Sequence, residues 1–183
     1  YVIFVAEVAS TCNEVLLMRH LLRKSTDRRE RAYLINHFLD SFKGTVYRQT
    51  MFAEFEKKAH EMAEQGRSLT AKSLNEMYYE LNKEYFGPDM VVDKDIEVEW
   101  ARIPHFYTPF YVYQYATGYS AAIAISTKIL AGDEQVIAGY RKFLSGGSSM
   151  HPIELLKLCG IDMTRPDVVQ EALDVFGELL KQW

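Results

Sequence analysis

Cysteine is nearly missing from this 183-residue chain. Cys12 and Cys159 are the only two. They are too few and too separated for a disulfide framework or a thiolate zinc site, so a reducing, cytoplasmic location is expected. An excess of positive charge is missing too: 21 Lys and Arg stand against 25 Asp and Glu, a formal charge of −4. No segment is strongly basic, and nucleic acid, which demands a cationic face to displace phosphate counterions, is not an expected partner. No apolar run approaches the ~20 residues that span a bilayer. Tyr1-Val2-Ile3-Phe4 carries no basic leader of the signal-peptide kind, so no membrane partner is expected. The five histidines include no pair at i, i+4 and no Glu-x-x-His, which argues against a di-iron bundle, since that needs two such motifs. His20, His37, His60 and His151 read as surface or core side chains. What the chain does have is apolar surface: 48% of its residues are hydrophobic, enough to bury a real core.

The patterning is helical throughout. Residues 3 to about 22 are apolar nearly all round, through Phe4, Val5, Val8, Val15, Leu16, Leu17 and Leu21, which predicts a buried helix. Ser25-Thr26-Asp27 supplies a cap with Glu30 in the first turn. A long amphipathic pattern then runs to Gln65, with Gly44 marking a kink or a close contact inside it. Thr70 caps a helix that stops at Gly87-Pro88. Residues 89–104 read as irregular, with a short extended stretch near 96–100. Thr108-Pro109 is predicted to open the next helix, which ends at Gly132. Asp133 starts another, and two last helices fit 152–159 and 166–182. No repeat, low-complexity tract or linker divides the chain. The expectation is an all-α bundle forming one helical domain over residues 1–183. The chain begins without Met and enters an apolar helix at once, so it is expected to be the C-terminal part of something longer.

Three stretches could carry chemistry. Glu7, Ser10, Thr11 and Glu14 share one stripe of the first helix, a polar seam in apolar surroundings. A buried carboxylate has to be paired, protonated or metal-bound. Glu7 is therefore either half of a salt bridge to a distant arginine or a metal ligand, with Glu14 orienting a neighbouring ligand. Residues 105–119 hold His105 and five tyrosines: Tyr107, Tyr111, Tyr113, Tyr115 and Tyr119. Tyr111, Tyr115 and Tyr119 recur at i, i+4, i+8, and core packing is expected to claim three of the five. A phenol or imidazole aimed into a cleft can instead stabilise a developing oxyanion. The third stretch, residues 145–149, is Gly/Ser-rich and reads as a connector or a mobile rim over a channel.

The stretch Phe4-Val5-Ala6-Glu7-Val8-Ala9-Ser10-Thr11-Cys12-Asn13-Glu14, followed much later by His105-Phe106-Tyr107 and Phe110-Tyr111-Val112-Tyr113-Gln114-Tyr115-Ala116-Thr117-Gly118, resembles the oligoendopeptidase F family. These are zinc metallopeptidases related to thimet oligopeptidase. The likeness covers essentially the whole chain. It implies a zinc-dependent endopeptidase acting on short oligopeptides, in which a His-Glu-x-x-His helix gives two ligands and the general base. Glu7 matches the third zinc ligand, and Glu14 the acidic residue two turns further on. His105, Tyr107 and Tyr113 match the transition-state donors, with Tyr111 a substrate-binding candidate.

No His-Glu-x-x-His occurs in these 183 residues. In the family's layout it would lie upstream of Tyr1, so that missing part is an expected partner. Taken alone, the chain is expected to bind zinc weakly, to cleave no peptide, and to self-associate through an uncovered face around Phe4, Val8 and Val15. The alternative is a non-catalytic all-α interaction module, in which the seam and the tyrosines are core features.

Overall fold

The computed structural model describes residues 2–183; Tyr1 lies outside them. The all-α expectation holds. The helices are α1 (Ile3–Lys24), α2 (Arg28–Phe42), α3 (Arg48–Glu64), α4 (Ala71–Phe86), α5 (Tyr113–Leu130), α6 (Glu134–Gly146), α7 (Pro152–Lys157) and α8 (Asp167–Leu180), and no strand occurs among the described residues. Local chemistry explains three of their starts. The Asp27 carboxylate accepts from the Glu30 amide at 2.9 Å, Thr70 and Ser73 cap α4 reciprocally, and Asp133 accepts from the amides of Gln135 and Val136.

The structure decides one open reading and corrects several expectations. Gly44 does mark an interruption, but of a particular kind: Lys43–Tyr47 form a π-helical turn between α2 and α3. A Cβ on Gly44 would meet nothing within 4 Å, so it is not a close contact. The expected extended stretch at 96–100 is instead a 3-10 helix, Lys94–Arg102. Ile96, Val98 and Trp100 alternate with charged residues like a strand. The Asp93 carboxylate nevertheless caps the Asp95 amide at 3.0 Å, and Glu99 is pulled inward onto Arg48 and Tyr78. Nor does a helix open at Thr108-Pro109. Pro104–Tyr107 form one short 3-10 turn, and α5 begins only at Tyr113, because Phe110 adopts φ 56°, outside any right-handed helix.

The chain divides into two compact units, residues 1–46 with 114–183, and residues 47–113. In the first, α5 is buried along the whole of Gly118–Ser126. One core joins Val8 and Cys12 of α1 to Ala122 and Ile125 of α5, Phe143 of α6 and Leu156 of α7. A second joins Val15, Phe38, Phe42, Tyr119, Ile123 and Val175. So α1 is not buried all round. Its covered face is Phe4, Val5, Val8, Cys12 and Val15, while Leu17 is 59% exposed. The face expected to be uncovered, at Phe4, Val8 and Val15, is the covered one, because α5 packs there. Ile3, Leu17 and Leu21 are the apolar residues left outside.

In the second unit α3, α4 and the 3-10 segment surround an aromatic core. Phe55 meets Tyr78 edge-on, with ring centroids 5.2 Å apart. Glu99 is buried beneath them. Its carboxylate accepts from Arg48 at 2.6 Å, from the Tyr78 hydroxyl at 2.6 Å, and from Arg102.

Candidate functional site

The seam predicted on α1 becomes one wall of a groove in the first unit. Glu7, Ser10, Thr11 and Glu14 face Ser41 and Thr45 on one side and Tyr115 and Tyr119 of α5 on the other, around a volume of about 340 Å³. Glu7 is half-buried and Glu14 exposed, so the seam belongs to a groove wall and not to a core. Ser10 donates its hydroxyl to Glu14 at 3.1 Å. Burial pushes the Tyr119 phenol above its ordinary range, and the Glu14 charge adds to this against an opposing Ser41 hydrogen bond. At neutral pH Tyr119 is therefore an un-ionised hydroxyl beside a carboxylate. Beside the groove α5 presents Gly118 to Phe4 and Val8 of α1. A Cβ on Gly118 would lie 3.4 Å from the Phe4 ring. Behind it, the Tyr140 hydroxyl of α6 reaches the Ala9 carbonyl of α1 at 3.2 Å and Asn13 Oδ1 at 3.3 Å.

His105, Tyr107, Tyr111 and Tyr113 all belong to the second unit. They lie on a loop between Ile103 and Val112, which are 7% and 1% exposed, with Tyr113 one residue past its end. Partway along, Phe106 inserts its ring between Phe52 and Phe55 of α3, at centroid distances of 5.6 and 5.3 Å. The residues on either side of that plug, His105 and Tyr107, are left exposed, Tyr107 at 85%. The His105 ring lies against Tyr111 at 5.8 Å and 20°, and Tyr113 is half-exposed. The tyrosine stripe shrinks accordingly. Tyr111 precedes α5, so only Tyr115 and Tyr119 share its face, and both line the groove. Of the five tyrosines only Tyr119 is buried, against the three expected in the core.

Two residues of this loop's support escaped the sequence reading. Glu56 of α3 is 5% exposed and accepts the Phe110 amide at 2.6 Å. One turn on, the His60 ring lies 4.6 Å from that of Phe110. A signal was present: Glu56 falls at i+4 from Phe52 and i+1 from Phe55, inside the apolar stripe of α3. A carboxylate there has to be bonded. The Gly/Ser stretch partly joins α6, which runs through Gly146 before Gly147 turns at φ 52°.

Among the described residues no three His, Cys, Asp or Glu side chains gather as a metal-holding group. Glu7 and Glu14 offer oxygen donors to the groove and no imidazole accompanies them. By donor chemistry Glu7 fits the part of a single carboxylate ligand, and the chain by itself does not make a three-ligand zinc centre. No described helix is long and apolar enough to cross a membrane.

The whole chain has close relatives. It is 53% identical over 182 residues to the oligopeptidase PepF of Bacillus subtilis, a match that takes in 100% of this chain and 27% of that protein. It is 46% identical to the chromosomal oligoendopeptidase F of Lactococcus lactis subsp. cremoris, over 100% of this chain and 30% of that one. The crystal structure of oligoendopeptidase-F from Enterococcus faecium superposes with a TM-score of 0.95 at 46% identity, covering 100% of this chain and 35% of that one. The chain thus spans about a third or less of the proteins it matches. The profile of peptidase family M3 matches residues 1–175, and the chain belongs to that family.

Proposed function

We propose that this chain is the C-terminal part of the catalytic domain of a zinc-dependent oligoendopeptidase that hydrolyses short peptides in the cytoplasm. The carrying observation is the family match over residues 1–175, joined to relatives named as oligopeptidases. In this role Glu7 is the one zinc ligand that the chain supplies. The two imidazoles and the general base belong to a His-Glu-x-x-His helix elsewhere in the peptidase. Glu14 holds the α1 wall polar, where it accepts a hydrogen bond from Ser10, and orients a neighbouring ligand. When bound, zinc acts as a Lewis acid and acidifies a water molecule.

The remaining roles fall to the loop. His105, Tyr107 and Tyr113 are exposed at the ends of short, anchored segments, which suits side chains that have to reach a bound peptide. Each donates an N–H or O–H to the oxygen that becomes negative as the peptide carbonyl turns tetrahedral. Tyr111 lies against His105, limits its ring rotation and contacts the peptide. The chain alone, with one ligand of three and no base, cleaves nothing and holds zinc weakly.

The test is Glu7→Gln in the intact peptidase. A neutral amide is a poorer ligand than a carboxylate, so zinc content and cleavage of a fluorogenic peptide fall together. Full zinc and full activity in that variant would refute the ligand role.

A further inference from the structure

Phe110 is the one non-glycine among the described residues whose φ lies in the left-handed region, at 56°. A bulky aromatic side chain rarely adopts it, and such strain persists only where neighbours over-determine it and tends to collect at functional sites. Here the neighbours are identifiable. The buried Glu56 carboxylate takes the Phe110 amide in a charge-assisted bond of 2.6 Å. The His60 ring, one turn along α3, packs on the Phe110 ring at 4.6 Å and 34°. The carboxylate is spent on a loop amide 54 residues away in sequence. Phe110 immediately precedes Tyr111 and stands three residues before Tyr113. Phe110 sits in a turn that is also closed locally, the Tyr111 amide donating to the Thr108 carbonyl at 3.3 Å, while Phe106 and Val112 anchor the loop on either side of it.

We propose that Glu56 is a positioning residue that locks the twist at Phe110 and thereby aims His105, Tyr107, Tyr111 and Tyr113, an assignment that rests on the donor roles given to them above. His60 seconds it by holding the Phe110 ring. Glu56 touches neither substrate nor metal; it acts through the loop.

The amide that makes the bond is itself the probe. In Glu56→Ala, hydrogen exchange at Phe110 and its neighbours is expected to quicken about tenfold or more, as a locally opened segment does, while the core helices keep their protection. In the intact peptidase the same variant is expected to lose about tenfold or more in kcat with KM and zinc content nearly unchanged, the pattern of lost alignment. Glu56→Gln, which retains an acceptor oxygen, is expected to fall between. Phe110→Asn added to Glu56→Ala is expected to recover part of kcat, because Asn tolerates the left-handed backbone. Unchanged exchange at Phe110 in Glu56→Ala would overturn the lock. Faster exchange with unchanged kcat, while His105→Ala does lower kcat, would overturn the positioning role and leave the peptidase reading standing. If neither Glu56→Ala nor His105→Ala changes kcat, both fall.

Discussion

Replacing Gly139 by alanine tests how tightly α6 is built onto the turn after α7. A Cβ there would lie 1.8 Å from the Leu158 carbonyl oxygen and 2.7 Å from its carbon. The closest comfortable C···O approach is about 3.3 Å, so the shortfall is about 1.5 Å. The obstacle is backbone and cannot rotate away. The Leu158 amide is already bonded to Leu155 O at 3.2 Å, and the Cys159 amide to Leu156 O at 2.9 Å. Helix propensity alone would favour alanine by ~1 kcal/mol. Overpacking costs ~1–3 kcal/mol, and an overlap with main chain belongs at or above the top of that range. The net expectation is a loss of ~2 kcal/mol, which for a chain of this length lowers Tm by ~4–8 °C. Gly177 in α8 is the control. A Cβ there would meet nothing within 4 Å, so Gly177→Ala keeps the propensity gain and raises Tm by ~2–4 °C. Thermal melts followed by circular dichroism, with both variants beside the parent, decide it. A Gly139→Ala protein that melts at or above the parent would refute the steric reasoning. The effect should also reach the groove, since Tyr140, the next residue, holds Ala9 and Asn13 of α1.

Burial raises the Glu99 carboxyl, but the Tyr78 hydroxyl, Arg48 and Arg102 outweigh it and hold it below its ordinary 4.5. Its stabilising contribution is therefore complete above that value and is lost as pH falls through the lowered one. Melts at decreasing pH should show the gap between wild type and Glu99→Gln closing below 4.5, and a constant gap would refute this. Burial pushes the Cys12 thiol up to about 11 and the Cys159 thiol up to about 12, so a thiol-titrating reagent near neutral pH should find neither until the chain is unfolded. In the intact peptidase, Tyr113→Phe and His105→Ala should keep zinc and lower kcat ~10²–10³-fold each. A change confined to KM in Tyr113→Phe would make its role ground-state binding.

Where local chemistry decides, the sequence was legible. Asp27, Thr70 and Asp133 announce their helices because each cap satisfies amides only two or three residues ahead. The α1 seam was legible because residues 7, 10, 11 and 14 share a face on any helix. Residues 89–113 were not. Their conformation is set from α3 and α4, through Arg48 to Glu99 across 51 residues and Glu56 to Phe110 across 54. Neither pairing leaves a mark in the spacing of the residues around it. The period-2 alternation at 96–100 points to a strand, yet a nine-residue 3-10 segment forms because burying Glu99 on its partners needs that side chain turned inward.

The two groups of candidate residues are consequently held by different means. Glu7 and Glu14 ride on a 22-residue helix whose adjoining face is Val8, Cys12 and Val15, exposed at 0%, 0% and 3%. Moving Glu7 means moving packed core, and helix-borne groups of this kind keep their geometry closely. His105, Tyr107, Tyr111 and Tyr113 are carried on a loop whose attachments include Ile103, Phe106, Phe110 and Val112. A loop so fixed has only the conformations its anchors permit: Ile103 and Val112 bury its ends, Phe106 seats it on α3, and the Phe110 amide is bonded to Glu56. In the roles proposed above, a ligand to a metal needs one unvarying position, whereas donors to a peptide of varying sequence need limited freedom about a fixed mean. Substitutions under α1 should thus register first in stability, and substitutions of the loop anchors first in turnover.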